Sequence, residues 1–417
     1  MHRFAHLADV HLGAHREPAL ANLELRVFDA TMKKCVELGV DFVLVCGDLF
    51  HVGIPDLEVV DAALKSMIAV KTQGIPIYAV YGSHDYTPNG TSVIDILSTA
   101  GVLTNVFKPS FEGEALRLGV TVDDKTGAKI VGISARKIGL ESRYFEALDR
   151  ESLEKERGFK VFAFHSGLTE LKPDHLSAMD TVDADLLPKG FEYYAGGHIH
   201  ERGEYSLPGM ENIVFPGPLF TGYGKDLEAT AKGERRGFYV VEFDERIVGK
   251  TFVPMDSFGG VFREYDLSGL NAPEAGAKIV EDVKRIDVAD RLVVIRVHGE
   301  LAGGKPSEVG LAQVKAMLSG RGALHVYINR SGLSSREQAG QVFSGEEPVS
   351  IEQKLLELEA AKVQVGDEHL RGQSGVAIGM ELLRLWRQPP KLGEAKKDYV
   401  ARMVREGIHV MTREEQK

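Results

Sequence analysis

The feature of this 417-residue sequence that most restricts its fold is a repeated one: strand-sized apolar runs break off into short clusters of Asp, His and Gly. It occurs five times, at DVH (Asp9, His11), GDLFH (Gly47, Asp48, His51), GSHD (Gly82 to Asp85), FHSG (His165) and GHIH (His198, His200). Four of these clusters follow an apolar run directly, and FHSG lies at the end of one. In an open α/β sheet the carboxyl ends of the strands face the ligand crevice, so five independent strand ends would deliver Asp and His to one rim.

The intervening sequence fits such a sheet. RFAHLA (residues 3–8) reads as a short strand. Leu20, Leu23, Val27, Phe28, Thr31, Cys35 and Leu38 recur at steps of one, three or four, which is helical spacing over 19–38, and Gly39 suits the stop. DFVLVCGD (41–48) is a continuous apolar run that suits a strand buried on both faces. Residues 56–72 repeat the helix, IPIYAVYG (75–82) the strand, and GTSVIDILSTAG (90–101) the helix again. This βαβα rhythm predicts a mostly parallel sheet covered by helices.

From about residue 115 the strands shorten: LRLGVTV, AKIVGISA, KVFAFH, YYAGGHIH, ENIVFPG and GFYVVEFD. A second sheet packed on the first is the expectation, with a first domain over 1–250. Residues 251–335 carry helices at 274–286 and 306–319 and strands at 291–299 and 323–329, a small α/β domain of their own. Residues 336–417 read as linker and helical tail; the Ser-, Gly- and Glu-rich linker covers 333–350, and Ser350 with Gln353 has capping-box spacing. In the tail, Leu355, Leu356, Leu358, Met380, Leu382, Leu383, Leu385 and Trp386 form either a folded-back core or a surface for a partner helix, with a break at Pro389–Pro390.

Several classes are set aside. No apolar run approaches the roughly 20 residues of a spanning helix, and MHRFAHLADVHLG has no apolar signal-peptide core. The two cysteines, Cys35 and Cys46, can build neither a disulfide framework nor a cysteine-ligated zinc site. A cytoplasmic protein without a membrane partner is expected. The net charge of −11 has the wrong sign for holding DNA by electrostatics alone. Bound cations, local basic patches or a basic partner would have to reverse it near a site.

The chemistry rests on the five clusters. Imidazole and carboxylate suit Zn, Mn and Fe. In Asp-x-His and His-x-His the side chains lie two apart, so on an extended segment both face one side and either grip one ion or straddle two. Asp48 is the candidate bridge. Two ions about 3.5–4 Å apart clamp a phosphate and activate a water between them. His84 is placed to meet the phosphate or the leaving group. Asp85 either orients a neighbouring ligand or starts the next turn. His6 reads as structural. His15, Arg16, Arg136 and Lys137 are candidates for DNA-phosphate contact, with a solvated surface as the plain alternative.

Taken in order, these segments resemble the calcineurin-type metallophosphoesterase superfamily. FAHLADVHLG, VLVCGDLFH, GSHD, the His of FHSG, YYAGGHIH and VFPGPL further resemble the SbcD-type double-strand-break repair nucleases of bacteria and their archaeal counterparts, over roughly residues 1–245. The resemblance implies a four-layer αββα sandwich, a small α/β capping domain and a helical C-terminal tail. It also implies that Asp9, His11, Asp48 and His200 hold one ion, and that Asp48, His165, His198 and residue 83 hold the other. His84 would act on the phosphate or leaving group, with His51 placing it. Manganese is the implied metal and DNA the substrate of exonuclease or endonuclease activity, in a homodimer whose tail docks on an SMC-like coiled-coil ATPase.

One position departs from the pattern. Ser83 stands where the family has Asn, and a hydroxyl is a shorter, poorer ligand than an amide carbonyl, so weaker binding of the second ion is expected. Two rivals follow. A small-molecule phosphoesterase would use the same site without needing the residues beyond 250. A DNA-end-binding scaffold would follow if Ser83 marked a decayed second site. A protein phosphatase is disfavoured, because GDLFHVG lacks the Arg those enzymes carry near the second motif.

Overall fold

The computed structural model describes residues 1–87, 90–135, 141–173, 179–255, 258–335, 372–389 and 396–412, with single residues or pairs at 176, 352–353, 356–357, 370 and 391. The chain divides into two compact units, Met1–Ser335 and Arg336–Lys417.

The first unit opens with the anticipated alternation: β1 (His2–Leu7), α1 (Pro18–Glu37), β2 (Phe42–Cys46), α2 (Leu57–Lys71), β3 (Ile77–Val80), α3 (Val93–Thr99) and β4 (Thr104–Asn105). The four strands pair in parallel, in that order. A hairpin of β5 (Pro109–Glu112) and β6 (Ala115–Leu118) leads to β7 (Thr121–Val122), β8 (Lys129–Ile133), α4 (Glu141–Ala147), α5 (Arg150–Glu154) and β9 (Lys160–His165). The short pair β10 (Gly167–Leu168) and β11 (Thr181–Val182) precedes β12 (Tyr193–Gly197), β13 (Gly203–Leu207) and β14 (Met210–Phe215). Six of these strands form the second sheet, ordered β13-β14-β12-β9-β8-β7.

After α6 (Gly224–Ala231) the chain crosses back. β15 (Gly237–Phe243) and β16 (Ile247–Pro254) complete the first sheet in the order β16-β15-β1-β2-β3-β4. The expectation that GFYVVEFD belongs to the second sheet is therefore corrected: β15 lies antiparallel to β1, His2 opposite Phe243. β1 has a βα neighbour on one side only, and its other edge carries backbone donors and acceptors that need partners. An alternating apolar strand fills that edge whichever sheet it follows in sequence.

Strand pleating sorts the core into layers. Phe4, Phe42, Leu44, Cys46 and Val80 of the first sheet meet Ile130, Val161, Ala163, Tyr193 and Val214 of the second in the core between the sheets. The alternate residues Ala5, Leu7, Val43 and Val45 face Leu20, Val27, Phe28 and Met67 of α1 and α2. Phe162, Phe164 and Ile213 turn outward from the second sheet beneath Phe145 of α4 and Leu153 of α5. The result is helices, sheet, sheet, helices, the four-layer αββα sandwich.

The remainder of this unit is β17 (Gly259–Asp266), α7 (Ala272–Val283), β18 (Arg291–Leu301), α8 (Leu311–Gly320) and β19 (His325–Ser335), a parallel three-stranded sheet with its own core of Ile279, Val293, Ile295 and Val314. Its first strand, GGVFREYD, was not anticipated, because only Val261 and Tyr265 of it are buried. α6 lies against β17 and β18. Arg296 of β18 reaches the buried Glu228 of α6 at 2.5 Å.

In the second unit, α9 (Gly372–Trp386) and α10 (Lys396–Thr412) pack on each other. Leu385 is buried and Trp386 exposed, and α10 turns Val400, Val404, Ile408 and Met411 outward. Residues 336–350 of the expected linker, and Ser350, Leu355, Leu358 and Pro390, lie outside the described residues. Among the described residues no helix is long and apolar enough to cross a membrane.

Candidate metal centre

Five strand ends converge as the sequence pattern requires. Asp9 and His11 follow β1, Asp48 follows β2, Ser83 and His84 follow β3, His165 ends β9, and His198 and His200 follow β12. The backbone there is strained. Among the described residues six non-glycine positions have positive φ, and four of them are Asp9, His11, Asp48 and His198. Such conformations cost of order 1–3 kcal/mol each and persist only where the surroundings enforce them. Glycine admits the crowding: a Cβ on Gly47 would lie 2.2 Å from His165 Nδ1, and one on Gly82 would lie 2.0 Å from Asp48 Oδ1.

Three groups of ligand atoms fall within 4.8 Å of one another: Asp9, His11 and His200; Asp9, Asp48 and His165; and His11, His51 and His84. Asp9 belongs to two of them. Asp48 is equally central, with Oδ2 3.3 Å from His165 Nε2 and 3.7 Å from His11 Nε2, while its Oδ1 accepts from the His84 backbone N–H at 2.8 Å. Asp9 Oδ1 lies 3.9 Å from His200 Nε2 and 4.0 Å from His165 Nδ1, so each carboxylate stands between two imidazoles. His198 packs its ring 5.1 Å from that of His165, and its backbone N–H donates to Asp9 at 3.0 Å. Ser83 lines the same opening as Asp48, His84 and His198.

The donor chemistry fits divalent cations. His165 Nδ1 donates to the Cys46 carbonyl at 2.8 Å, which leaves its buried Nε2 without a hydrogen bond and turned toward Asp48. His200 Nδ1 donates to Asp226 at 2.9 Å, which turns its Nε2 to within 3.1 Å of His11 Nε2. Two ring nitrogens this close need a proton or a cation between them. Burial and neighbouring histidines keep His11 well below the usual histidine range, so the ring is neutral and able to ligate.

Electrostatics tell the same story. Burial raises Asp9 to about 6, against the pull of His165 and His200. Burial opposes the charge on His165, yet the Asp48 carboxylate outweighs it and lifts the ring to about 10. Burial, aided by His165, lowers His198 to about 4. A compact set of buried carboxylates and imidazoles with such opposed shifts is what a cation would resolve.

Asp85 makes its hydrogen bonds to backbone rather than to ligand side chains among the described residues. It is buried and accepts from the backbone N–H groups of Gly82, Phe50 and Leu49 at 2.8, 3.1 and 3.4 Å, tying the second and third loops together. His51 offers its carbonyl to His84 Nδ1 at 2.6 Å, and its own Nδ1 lies 3.4 Å from His11 Nδ1. His6 is enclosed in the core beside Tyr193, 3.0 Å from the phenol, as a structural residue would be. His15 Nε2 is 2.7 Å from the Thr221 carbonyl, so it clamps two loops, whereas Arg16 is exposed. Arg136 and Lys137 lie outside the described residues.

Three contributors escaped the sequence reading: Asp226, which holds His200; Tyr223, whose hydroxyl is 2.7 Å from His84 Nε2; and Glu24 of α1, which accepts the Gly13 backbone N–H beneath the first loop. None is marked by spacing from a motif. The nearest signal was the polar run TGYGKD after VFPGPL. The site opens into a groove of about 830 Å³ whose walls include Arg202, Lys225, Lys232 and Arg296 beside Glu201, Glu228 and Glu234.

Comparison with known proteins agrees with this geometry. The chain is similar to the DNA double-strand break repair protein Mre11 of Methanopyrus kandleri, 27% identical over 94% of this chain and 85% of that protein. It is 29% identical to the protein of that name from Archaeoglobus fulgidus, over 68% of this chain and 63% of the relative. It is 30% identical to the one from Aeropyrum pernix, over 58% and 64%. Residues 2–202, which hold every ligand candidate named above, match the calcineurin-like phosphoesterase family.

Proposed function

We propose that this chain is the nuclease subunit of a DNA end-processing complex, a metal-dependent phosphodiesterase acting in double-strand-break repair. The observation that carries it is the convergence of five strand ends on two overlapping carboxylate–imidazole groups that share Asp9. In this reading Asp9, His11, Asp48 and His200 hold one divalent cation, and Asp48, Ser83, His165 and His198 the other, with Mn²⁺ the working ion. Such cations would neutralise phosphate charge and lower the pKa of a coordinated water.

The chain's own groups do the rest. Asp226 and the Cys46 carbonyl fix the tautomers of His200 and His165, so that each presents Nε2. His84, anchored at Nδ1 by the His51 carbonyl, aims Nε2 at the groove, where the scissile phosphate and its leaving oxygen would lie. The open, partly basic groove favours a polymeric phosphodiester over a small enclosed substrate.

Assembly belongs to the same proposal. Residues 251–335 serve as the capping domain, exposed apolar Leu57, Ile68 and Ile96 of α2 and α3 support a homodimer, and the outward stripe of α10 supports docking on an SMC-like coiled-coil ATPase in the cytoplasm. The test is incubation of the purified chain with end-labelled linear DNA and Mn²⁺, beside cyclic nucleotides and with His84→Gln as control. The reading expects shortened DNA that disappears with chelation and with His84→Gln. Cyclic nucleotide hydrolysis with intact DNA would overturn it.

A further inference from the structure

The His84 ring is held at both nitrogens. Nδ1 lies 2.6 Å from the His51 carbonyl, and a carbonyl only accepts, so Nδ1 carries a proton. Nε2 lies 2.7 Å from the Tyr223 hydroxyl. A phenol is both donor and acceptor. It can therefore donate to a bare Nε2 and accept from a protonated one, remaining bonded in both states.

Tyr223 is well placed for such a task. Its backbone N–H donates to Asp226 at 2.8 Å, and the same carboxylate accepts from Gly222 at 2.9 Å and holds His200. Two residues earlier, the buried Thr221 is clamped by His15. The Tyr223 ring stands edge-on to those of His11 and His51, at 5.6 and 5.5 Å. Core packing does not account for the residue, since it is 43% exposed and lines the groove. Capping of α6 does not account for the hydroxyl, since the capping contacts are made by backbone and Asp226.

We propose that Tyr223 is a positioning residue of the phosphodiester reaction, its hydroxyl holding His84 Nε2 toward the leaving oxygen. The inference rests on the nuclease reading and adds a residue to it. In the step concerned, a water oxygen forms a new bond to phosphorus and releases a proton to bulk solvent. The bond from phosphorus to the leaving oxygen breaks, and that oxygen takes a proton from His84 Nε2. Tyr223 keeps its own proton: its oxygen accepts from Nε2–H in the resting ring, yields that hydrogen to the leaving oxygen once the phosphate is in place, and its O–H donates to the bare Nε2 after the transfer.

A role at the leaving oxygen has a signature that a structural role lacks. The alkoxide expelled from DNA needs a proton, whereas p-nitrophenolate does not. Tyr223→Phe keeps the ring and removes only the hydroxyl. In single turnover with saturating Mn²⁺ its rate on linear DNA should fall about tenfold, the scale of one lost hydrogen bond. The fall on bis-p-nitrophenyl phosphate should be about fivefold smaller, because little proton transfer is needed there. Long-range ¹H–¹⁵N NMR of the metal-free protein should show His84 protonated at Nδ1, with the Nε2 resonance moved toward that of an unbonded nitrogen by Tyr223→Phe. Equal losses on the two substrates, or an Nε2 resonance indifferent to the substitution, would overturn the role of Tyr223 while leaving the nuclease reading standing. A wild type that hydrolyses neither substrate would overturn both.

Discussion

Asp226 shows how much of a site of this kind lies one residue behind the ligands. Its carboxylate bonds His200 Nδ1 and two backbone N–H groups, so it sets both the tautomer of a candidate ligand and the course of the loop before α6. Partners of this sort typically carry about 10- to 100-fold of metal affinity. Asp226→Asn should weaken Mn²⁺ binding on that scale in a calorimetric titration, with the fold intact by circular dichroism; unchanged affinity would remove Asp226 from the site. Ser83 gives the converse case. Its side chain is too short to repeat the carbonyl geometry of Asn, so Ser83→Asn should tighten the weaker of two Mn²⁺ binding events. Equal titrations of wild type and variant would show that residue 83 is not a ligand. Both residues reach the site through tertiary contacts, yet only Ser83 was legible, because a motif framed it. Asp226, Tyr223 and Glu24 carry no such frame.

At the scale of elements, legibility followed burial. α1 and β2 could be read directly, since one has a full apolar stripe and the other is buried along its whole length. β17 could not, since most of it is solvent-facing. The partner chosen by β15 was hidden as well, because apolar alternation sets which face a strand buries and says nothing of which edge it joins. α1 also has a task beyond its stripe. Glu24 is buried in it, accepts from the backbone of Gly13, Ala14 and His15, and is pushed by burial up to about 7 from an ordinary 4.5. The folded protein therefore binds a proton that the unfolded chain has released between those values. The associated stability is complete below about pH 4.5 and is lost as pH rises to about 7, an effect on the order of 3 kcal/mol. Glu24→Gln, with no charge to bury, should match the wild type near pH 5 and melt at higher temperature near pH 8. Parallel melting curves across that window would contradict the assignment.

For the whole molecule the proposed function asks how a chain of net charge −11 would hold a polyanion. The groove answers with local chemistry. Arg202 lies over the Phe252 ring and Lys225 stands near the site, whereas Lys232 and Arg296 are already paired with the buried Glu228. Arg236 is likewise paired, with Glu234, so among the described basic residues of the groove Arg202 and Lys225 are then offered to phosphates, beside whatever cations the ligand cluster would hold. Each neutralised phosphate contributes about 0.9 to the slope of log affinity against log salt. DNA binding to this chain alone, followed by anisotropy with Ca²⁺ in place of Mn²⁺ to prevent cleavage, should show a shallow slope of about −2, far from that of a basic DNA-binding domain. Arg202→Ala should flatten it by about one unit without altering sequence preference, and chelation should weaken binding at every salt concentration. A steep slope that survives chelation would place the DNA on another face. The charge balance would also assign work to assembly, because two grooves joined in the proposed homodimer would double the number of phosphates engaged without adding a single basic residue to the chain.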